Sequence, residues 1–68
     1  MKVQEFYNEC NDTYEVHVSK LTLTQKESLE KFLQEQSITI CVNLDNFILC
    51  ENLENYEIKQ ISNFLKTL

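Results

Sequence analysis

An alternation of apolar and polar residues predicts strands near the start of the chain. Residues 14–19 have the period of a half-buried strand, with Tyr14, Val16 and Val18 facing the core. Residues 3–7 predict a weaker strand, and the polar residues 8–13 predict the loop between the two. We therefore expect a first β-hairpin.

A helix is predicted after the first hairpin. The apolar stripe from Leu29 to Leu33 recurs at i, i+3 and i+4, which is typical of one face of a helix. Thr24 and Glu27 have the spacing of a capping box, and Thr22 is a competing N-cap. The sequence predicts that this helix ends near residues 36–37.

A second hairpin is predicted from two apolar segments, residues 38–44 and 47–50, on either side of Asp45 and Asn46. A tight turn suits these two residues because both tolerate positive φ. The resulting register places Val42 opposite Leu49, Leu44 opposite Phe47, and Cys41 opposite Cys50.

A second helix is predicted from about Asn52 to the C-terminus. Its apolar stripe consists of Ile58, Ile61, Leu65 and Leu68, with Phe64 on the flank. The order β-β-α-β-β-α predicts an α+β domain, a four-stranded antiparallel sheet with two helices packed on one face. The other face is expected to be open and lined in part by Glu15, His17, Ser19, Thr39, Cys41 and Asn43.

The two halves of the chain, residues 1–36 and 37–68, resemble each other. A shift of 32 residues aligns Val16 with Ile48, Leu21 with Leu53, Leu29 with Ile61, Phe32 with Phe64, and Leu33 with Leu65. This pattern indicates either a repeated ββα unit or a coincidence between two amphipathic helices.

Composition narrows the possible functions. The 68 residues are enough for one small domain and include neither Gly nor Pro. Glycine-rich phosphate loops and nucleophile elbows are therefore excluded, and turns are expected to use Asn, Asp or Ser. The soft metal ligands, Cys10, His17, Cys41 and Cys50, match no common zinc spacing. We expect no cofactor, no metal and no enzymatic activity.

Charge favours a basic partner. Eleven acidic residues and six lysines give a net charge of −5, which repels nucleic-acid phosphates and attracts basic protein surfaces. The alternative is that the acids serve solubility alone. Two lysine-free segments, residues 3–19 and 41–58, each contain four acids. If the fold brings these segments together, they form one acidic patch.

The partner-binding residues predicted from this pattern are these acids and two tyrosines among them: Glu5, Tyr7, Glu9, Asp12, Glu15, Asp45, Glu51, Glu54, Tyr56 and Glu57. The leading hypothesis is a small inhibitor, encoded by a phage or mobile element in the manner of anti-CRISPR and anti-restriction proteins, that blocks access of nucleic acid to a basic protein. The alternatives are an antitoxin or immunity-type protein and a homodimeric adaptor module. The polar N-terminus and three cysteines predict a cytoplasmic protein with no membrane segment.

Overall fold

The computed structural model covers residues 1–68 and has the element order β-β-α-β-β-α, which confirms the predicted α+β class. The six elements are β1 (Lys2–Asn8), β2 (Thr13–Ser19), α1 (Leu23–Glu35), β3 (Val42–Leu44), β4 (Phe47–Leu53) and α2 (Asn55–Leu65).

One antiparallel sheet contains all four strands in the order β1-β2-β4-β3. Each hairpin contributes one inner and one outer strand, and the two inner strands, β2 and β4, pair along the centre of the molecule. In that central pair His17 lies opposite Leu49, and Val18 lies opposite Ile48. Because paired residues share a face of an antiparallel sheet, the ladder also fixes which side chains point toward the helices.

Both helices cover one face of the sheet, which we call the helix face. The core consists of twelve buried apolar residues: Val16, Val18, Leu21, Leu29, Leu33, Ile38, Ile48, Cys50, Leu53, Ile58, Ile61 and Leu65. Asn43 in β3 donates a hydrogen bond to Glu30 in α1 at 2.8 Å. Asn55 at the start of α2 donates to the Tyr14 hydroxyl at 3.1 Å. These bonds tie α1 to the β3 side of the sheet and α2 to β2.

Positions 32 residues apart occupy corresponding places in the two halves. In the central ladder His17 pairs with Leu49, the residue 32 positions later. The other residues aligned by this shift are buried in both halves, apart from Phe32 and Phe64, which are partly buried and stack on each other. This geometry is that of an approximate two-fold axis between β2 and β4. It supports the repeat hypothesis, which remains a prediction.

The first helix begins two residues earlier than the predicted Thr24 and Glu27 capping box requires. Thr22 is the N-cap: its Oγ1 accepts the Gln25 N–H at 3.2 Å, and its own N–H donates to Gln25 Oε1 at 3.0 Å. Thr22, and not Thr24, is therefore the N-cap of α1. The reason is that Leu21 is buried, so the chain must turn into the helix immediately after it.

The end of α1 follows the prediction, with Gln36 as C-cap. The next residue, Ser37, has φ of 58°, and its N–H donates to the Gln34 carbonyl at 3.1 Å. The N–H of Ile38 donates to the Leu33 carbonyl at 2.9 Å. These two bonds form a Schellman motif, in which the left-handed residue closes the helix and directs an apolar residue back into the core.

The predicted strand over residues 38–44 is wrong in its first half, because only Val42–Leu44 is a strand. Ile38 is buried directly after the helix, and this anchoring keeps residues 38–41 out of the ladder. Val42 lies opposite Leu49 and Leu44 opposite Phe47, as predicted. The predicted pairing of Cys41 with Cys50 does not form; the Cys41 N–H instead donates to the Leu49 carbonyl at 2.9 Å.

Left-handed backbone occurs at Asp12, Lys20, Ser37 and Asn52. The residue types are those expected of a chain without glycine, except for Lys20. The turn at Asp45 and Asn46 was predicted correctly in position and wrongly in conformation, because neither residue has positive φ. The Asn46 carbonyl instead accepts the Leu21 N–H at 3.1 Å, which fixes this turn against the start of α1.

The second helix begins three residues later than predicted, at Asn55. Asn52 is not helical because it forms a β-bulge: Glu51 and Asn52 together lie opposite the single residue Glu15 in β2. Leu53 must still reach the core, where it is 2% exposed, so the helix starts only after it. At the other end the helix stops at Leu65, and Leu68 of the predicted stripe is exposed.

Candidate functional site

Six carboxylates lie at one end of the sheet, which we call the acidic end. The β1–β2 turn, the last residues of β4 and the first turn of α2 all meet there, because β1 and β4 run toward this end and α2 starts from it. The residues are Glu9, Asp12, Glu15, Glu51, Glu54 and Glu57. The structure thus brings together six of the eight acids of the two lysine-free segments.

Three of the six lysines lie at the opposite end of the molecule, whereas Lys59 lies in α2 two residues after Glu57. Lys2 begins β1 and Lys20 follows β2, which places both at the opposite end of the sheet. Lys66 follows α2 and lines a groove with Met1 and Val3, again toward the opposite end. The molecule is elongated, with extents of 34 × 19 × 19 Å. The six acids and these three lysines lie at opposite ends of the strands.

Hydrogen bonds and ring contacts hold the acidic end together. The Tyr7 hydroxyl donates to Asp12 Oδ1 at 2.8 Å, and this bond to a carboxylate raises the pKa of Tyr7. The Tyr7 and Tyr14 rings lie 5.1 Å apart, and Tyr14 accepts the bond from Asn55. The loop, the first hairpin and α2 are therefore connected, which limits how far the carboxylates can move independently.

Four of the six carboxylates have partners within the molecule, among them Asp12, which accepts the Tyr7 bond, and Glu51, which interacts with the Cys41 thiol. The Glu54 N–H donates to Glu57 Oε1 at 2.9 Å at the start of α2, where the helix dipole also favours negative charge. Glu15 Oε2 lies 2.5 Å from His17 Nε2. Glu9 has no side-chain partner, and the only partner of Glu51 is the exposed Cys41 thiol. Both carboxylates are exposed and accessible to a binding partner.

Two of the predicted partner-binding acids lie elsewhere. Glu5 lies in β1 opposite Val16, so it points toward the helix face, beside the groove that Lys66 lines. Asp45 lies in the β3–β4 turn at the opposite end of the sheet. The two predicted tyrosine contacts are exposed, Tyr7 at 52% and Tyr56 at 61%, and both lie at the acidic end.

The open face of the sheet is more apolar than the sequence interpretation expected. Glu15, His17 and Ser19 lie on it as expected, but Asn43 pairs with the buried Ile48 and so points toward the helix face. Thr39 and Cys41 lie outside the strands. In their place the open face carries what we call the apolar strip: Phe6, His17, Val42, Leu44, Phe47 and Leu49.

The aromatic members of the apolar strip are ordered by contact. The Phe6 and His17 ring centroids lie 4.8 Å apart, and the His17 and Phe47 centroids lie 6.1 Å apart with perpendicular planes. The sequence held evidence of this strip, because the predicted register pairs Val42 with Leu49 and Leu44 with Phe47. That register puts these side chains on one face, opposite to that of Ile48.

Two of the three thiols, Cys41 and Cys50, have a raised pKa. Burial raises the pKa of the Cys50 thiol to about 11. Loss of contact with water and a hydrogen bond to Glu51 raise the pKa of Cys41. Reactive cysteines need the opposite shift. No group of three or more potential metal ligands occurs in the structure.

The concave regions of the surface are shallow. One, of about 360 Å³, lies between the helices and is lined by Phe32, Phe64, Gln36, Gln60 and Asn63. It contains no ionisable side chain that could act as an acid or a base.

Neither helix combines the length and the apolar character needed to cross a membrane. Comparison with protein-family models, with curated protein sequences and with solved structures finds no match to this chain.

Proposed function

We propose that this protein is a binding protein that docks its acidic end on a basic protein surface. The observation that supports the proposal is the meeting of six carboxylates, from segments without a lysine, at one end of the fold. A field of one sign at one end of a small molecule steers it toward positive charge and orients the encounter.

The mechanism is occlusion. Carboxylates form charge-assisted hydrogen bonds with Lys and Arg side chains that otherwise hold phosphates, so nucleic acid and this protein compete for the same groups. The exposed Glu9 and Glu51 make the first contacts, and the tyrosines Tyr7 and Tyr56 beside them add aromatic surface of the kind that is enriched at interface hot spots.

The class of protein that this mechanism fits is a compact inhibitor of a nucleic-acid-handling protein, of the kind that phages and mobile elements encode against CRISPR and restriction systems. An immunity-type protein that neutralises a toxic nuclease would use the same docking chemistry on a different target.

Two double variants with equal charge test the proposal. Glu9→Lys with Glu51→Lys alters the acidic end, and Glu27→Lys with Asp45→Lys alters exposed acids elsewhere. Each reversal changes the charge by two, so both variants have −1 in place of −5. The immobilised parent and the second variant should retain a basic protein from a lysate of the source organism, and the first should not.

The retained protein should elute when duplex DNA or heparin is added, because polyanions compete for the same basic groups. A retained protein that polyanions do not displace, or that both variants lose equally, would contradict docking through the acidic end.

A further inference from the structure

We propose that the apolar strip is the second part of the docking surface and receives an apolar side chain that lies between basic residues of the partner. This inference rests on the proposed function, and it identifies the chemistry that gives the complex affinity in addition to its electrostatic steering.

The strip exposes more apolar surface than the fold requires. Leu44 is 58% exposed, Phe6 is 47% exposed and Val42 is 37% exposed. In an antiparallel sheet with helices on one side, the other side is ordinarily polar. Here β4 presents apolar side chains on both faces, and all four strands contribute to the strip. Contiguous apolar surface of this kind on a small protein marks a binding site.

The strip adjoins the acidic end on the same face. Phe6 lies opposite Glu15, and Glu15 in turn contacts His17 within the strip. A partner that reaches the aromatic rings therefore also comes close to a carboxylate. An apolar centre with charged groups at its rim is the usual anatomy of a protein–protein interface.

Charge complementarity indicates which kind of partner binds the apolar strip. The acids at the rim favour a partner with Lys or Arg beside its apolar group. A second copy of this chain would add another net charge of −5, and among the six lysines only Lys2 lies on a strand and points to the open face. Single-stranded nucleic acid could stack on the rings, but its phosphates would be repelled by the adjoining carboxylates.

Two peptides that differ only at their centre provide the test. The first, acetyl-Lys-Lys-Leu-Leu-Lys-Lys-amide, combines basic and apolar groups, and the second has Ser-Ser in place of Leu-Leu. Each is titrated into the ¹⁵N-labelled parent while backbone amide shifts are followed. We expect both peptides to shift the amides of Glu9 and Glu51, and the leucine peptide alone to shift those of His17 and Leu49.

The variant Val42→Thr with Leu44→Thr removes exposed apolar groups and places threonine, a β-branched residue that favours strands, at these two positions of β3. We expect the leucine peptide to bind the parent about tenfold more tightly than the serine peptide, and this preference to fall to about one in the variant. Leu23→Thr is the matched control, because Leu23 is 70% exposed on α1, away from the strip. The control should retain the parent's preference.

The outcomes separate the two proposals. If neither peptide shifts the acidic-end amides, docking through that end is wrong. If both peptides shift that end equally and the strip does not respond, the strip inference alone is overturned. Strip shifts on addition of a thymidine decanucleotide would assign the strip to nucleic acid instead. A dimer seen in sedimentation that the double threonine variant dissociates would assign it to a second copy.

Discussion

The rings of Phe32 and Phe64 stack with their centroids 4.2 Å apart and their planes inclined by 9°. The two residues belong to different helices and are separated by 32 positions, the same shift that pairs His17 with Leu49 in the sheet. Both rings are partly buried against the core. The stack is therefore the contact at which the two helices meet across the approximate two-fold axis.

A double-mutant cycle should detect this contact. Phe32→Leu and Phe64→Leu should each destabilise the fold by about 1 kcal/mol, with a coupling free energy of about 0.5–1.5 kcal/mol between them, measured by urea unfolding. Phe6 provides the control because it lies on the opposite face of the sheet. Phe6→Leu combined with Phe32→Leu should be additive within about 0.5 kcal/mol. Additive behaviour of the Phe32 and Phe64 pair would show that the stack contributes nothing specific.

The element order and the core were predictable from periodicity, because strands at residues 14–19 and helices with stripes at Leu29 and Ile58 each have one clear apolar face. The boundaries of the helices and strands were not predictable from periodicity. The start of α2 depends on the bulge at Asn52, which follows from the pairing of β2 with β4 across the molecule. The short β3 depends on the burial of Ile38 after the Schellman motif. The bulge is a consequence of pairing between the two halves, and the burial of Ile38 is a consequence of tertiary packing; the local pattern contains neither.

Glycine at position 37 should stabilise the protein. Ser37 has φ of 58° at the C-terminus of α1, where the absence of a Cβ removes a steric cost. Ser37→Gly should raise the free energy of unfolding by about 0.5–1 kcal/mol, after allowance for the greater freedom of the unfolded chain. The control is Ser28→Gly within α1, which should lower it by about 0.5–1 kcal/mol. Destabilisation by Ser37→Gly would contradict the left-handed cap.

Stability should fall at alkaline pH through Cys50. Its pKa is raised by burial from 9.0 to about 11, so the unfolded chain loses this proton first. The neutral thiol contributes its full stability below pH 9 and loses that contribution as the pH rises through 11. Urea unfolding midpoints should decline over this range, and Cys50→Ala should decline less steeply, although it is less stable at neutral pH because it leaves a small cavity.

The raised pKa values of Tyr7 and Cys41 give a pH dependence of the same sign, so the parent and the alanine variant must be compared directly. Equal slopes for the two proteins would show that Cys50 does not govern the alkaline decline.

The candidate site was predictable in part. Sequence identified the acids and their separation from lysine, but the strand order decided which of them meet. Asp45 was grouped with Glu51 by proximity in the chain, yet the β3–β4 hairpin carries it to the opposite end of the sheet. The apolar strip was overlooked for a related reason. Residues 42–44 and 47–50 are mostly apolar, so periodicity alone does not say which side chains face the helices.

The salt dependence of association with the captured basic partner is the decisive measurement for docking through the acidic end. We expect the association rate constant of the parent to fall steeply as ionic strength rises. Glu9→Lys with Glu51→Lys should flatten this dependence, while Glu27→Lys with Asp45→Lys should leave most of it, despite equal net charge. An equal effect of both double variants would show that total charge, and not its concentration at one end, governs binding, and docking through the acidic end would then be wrong.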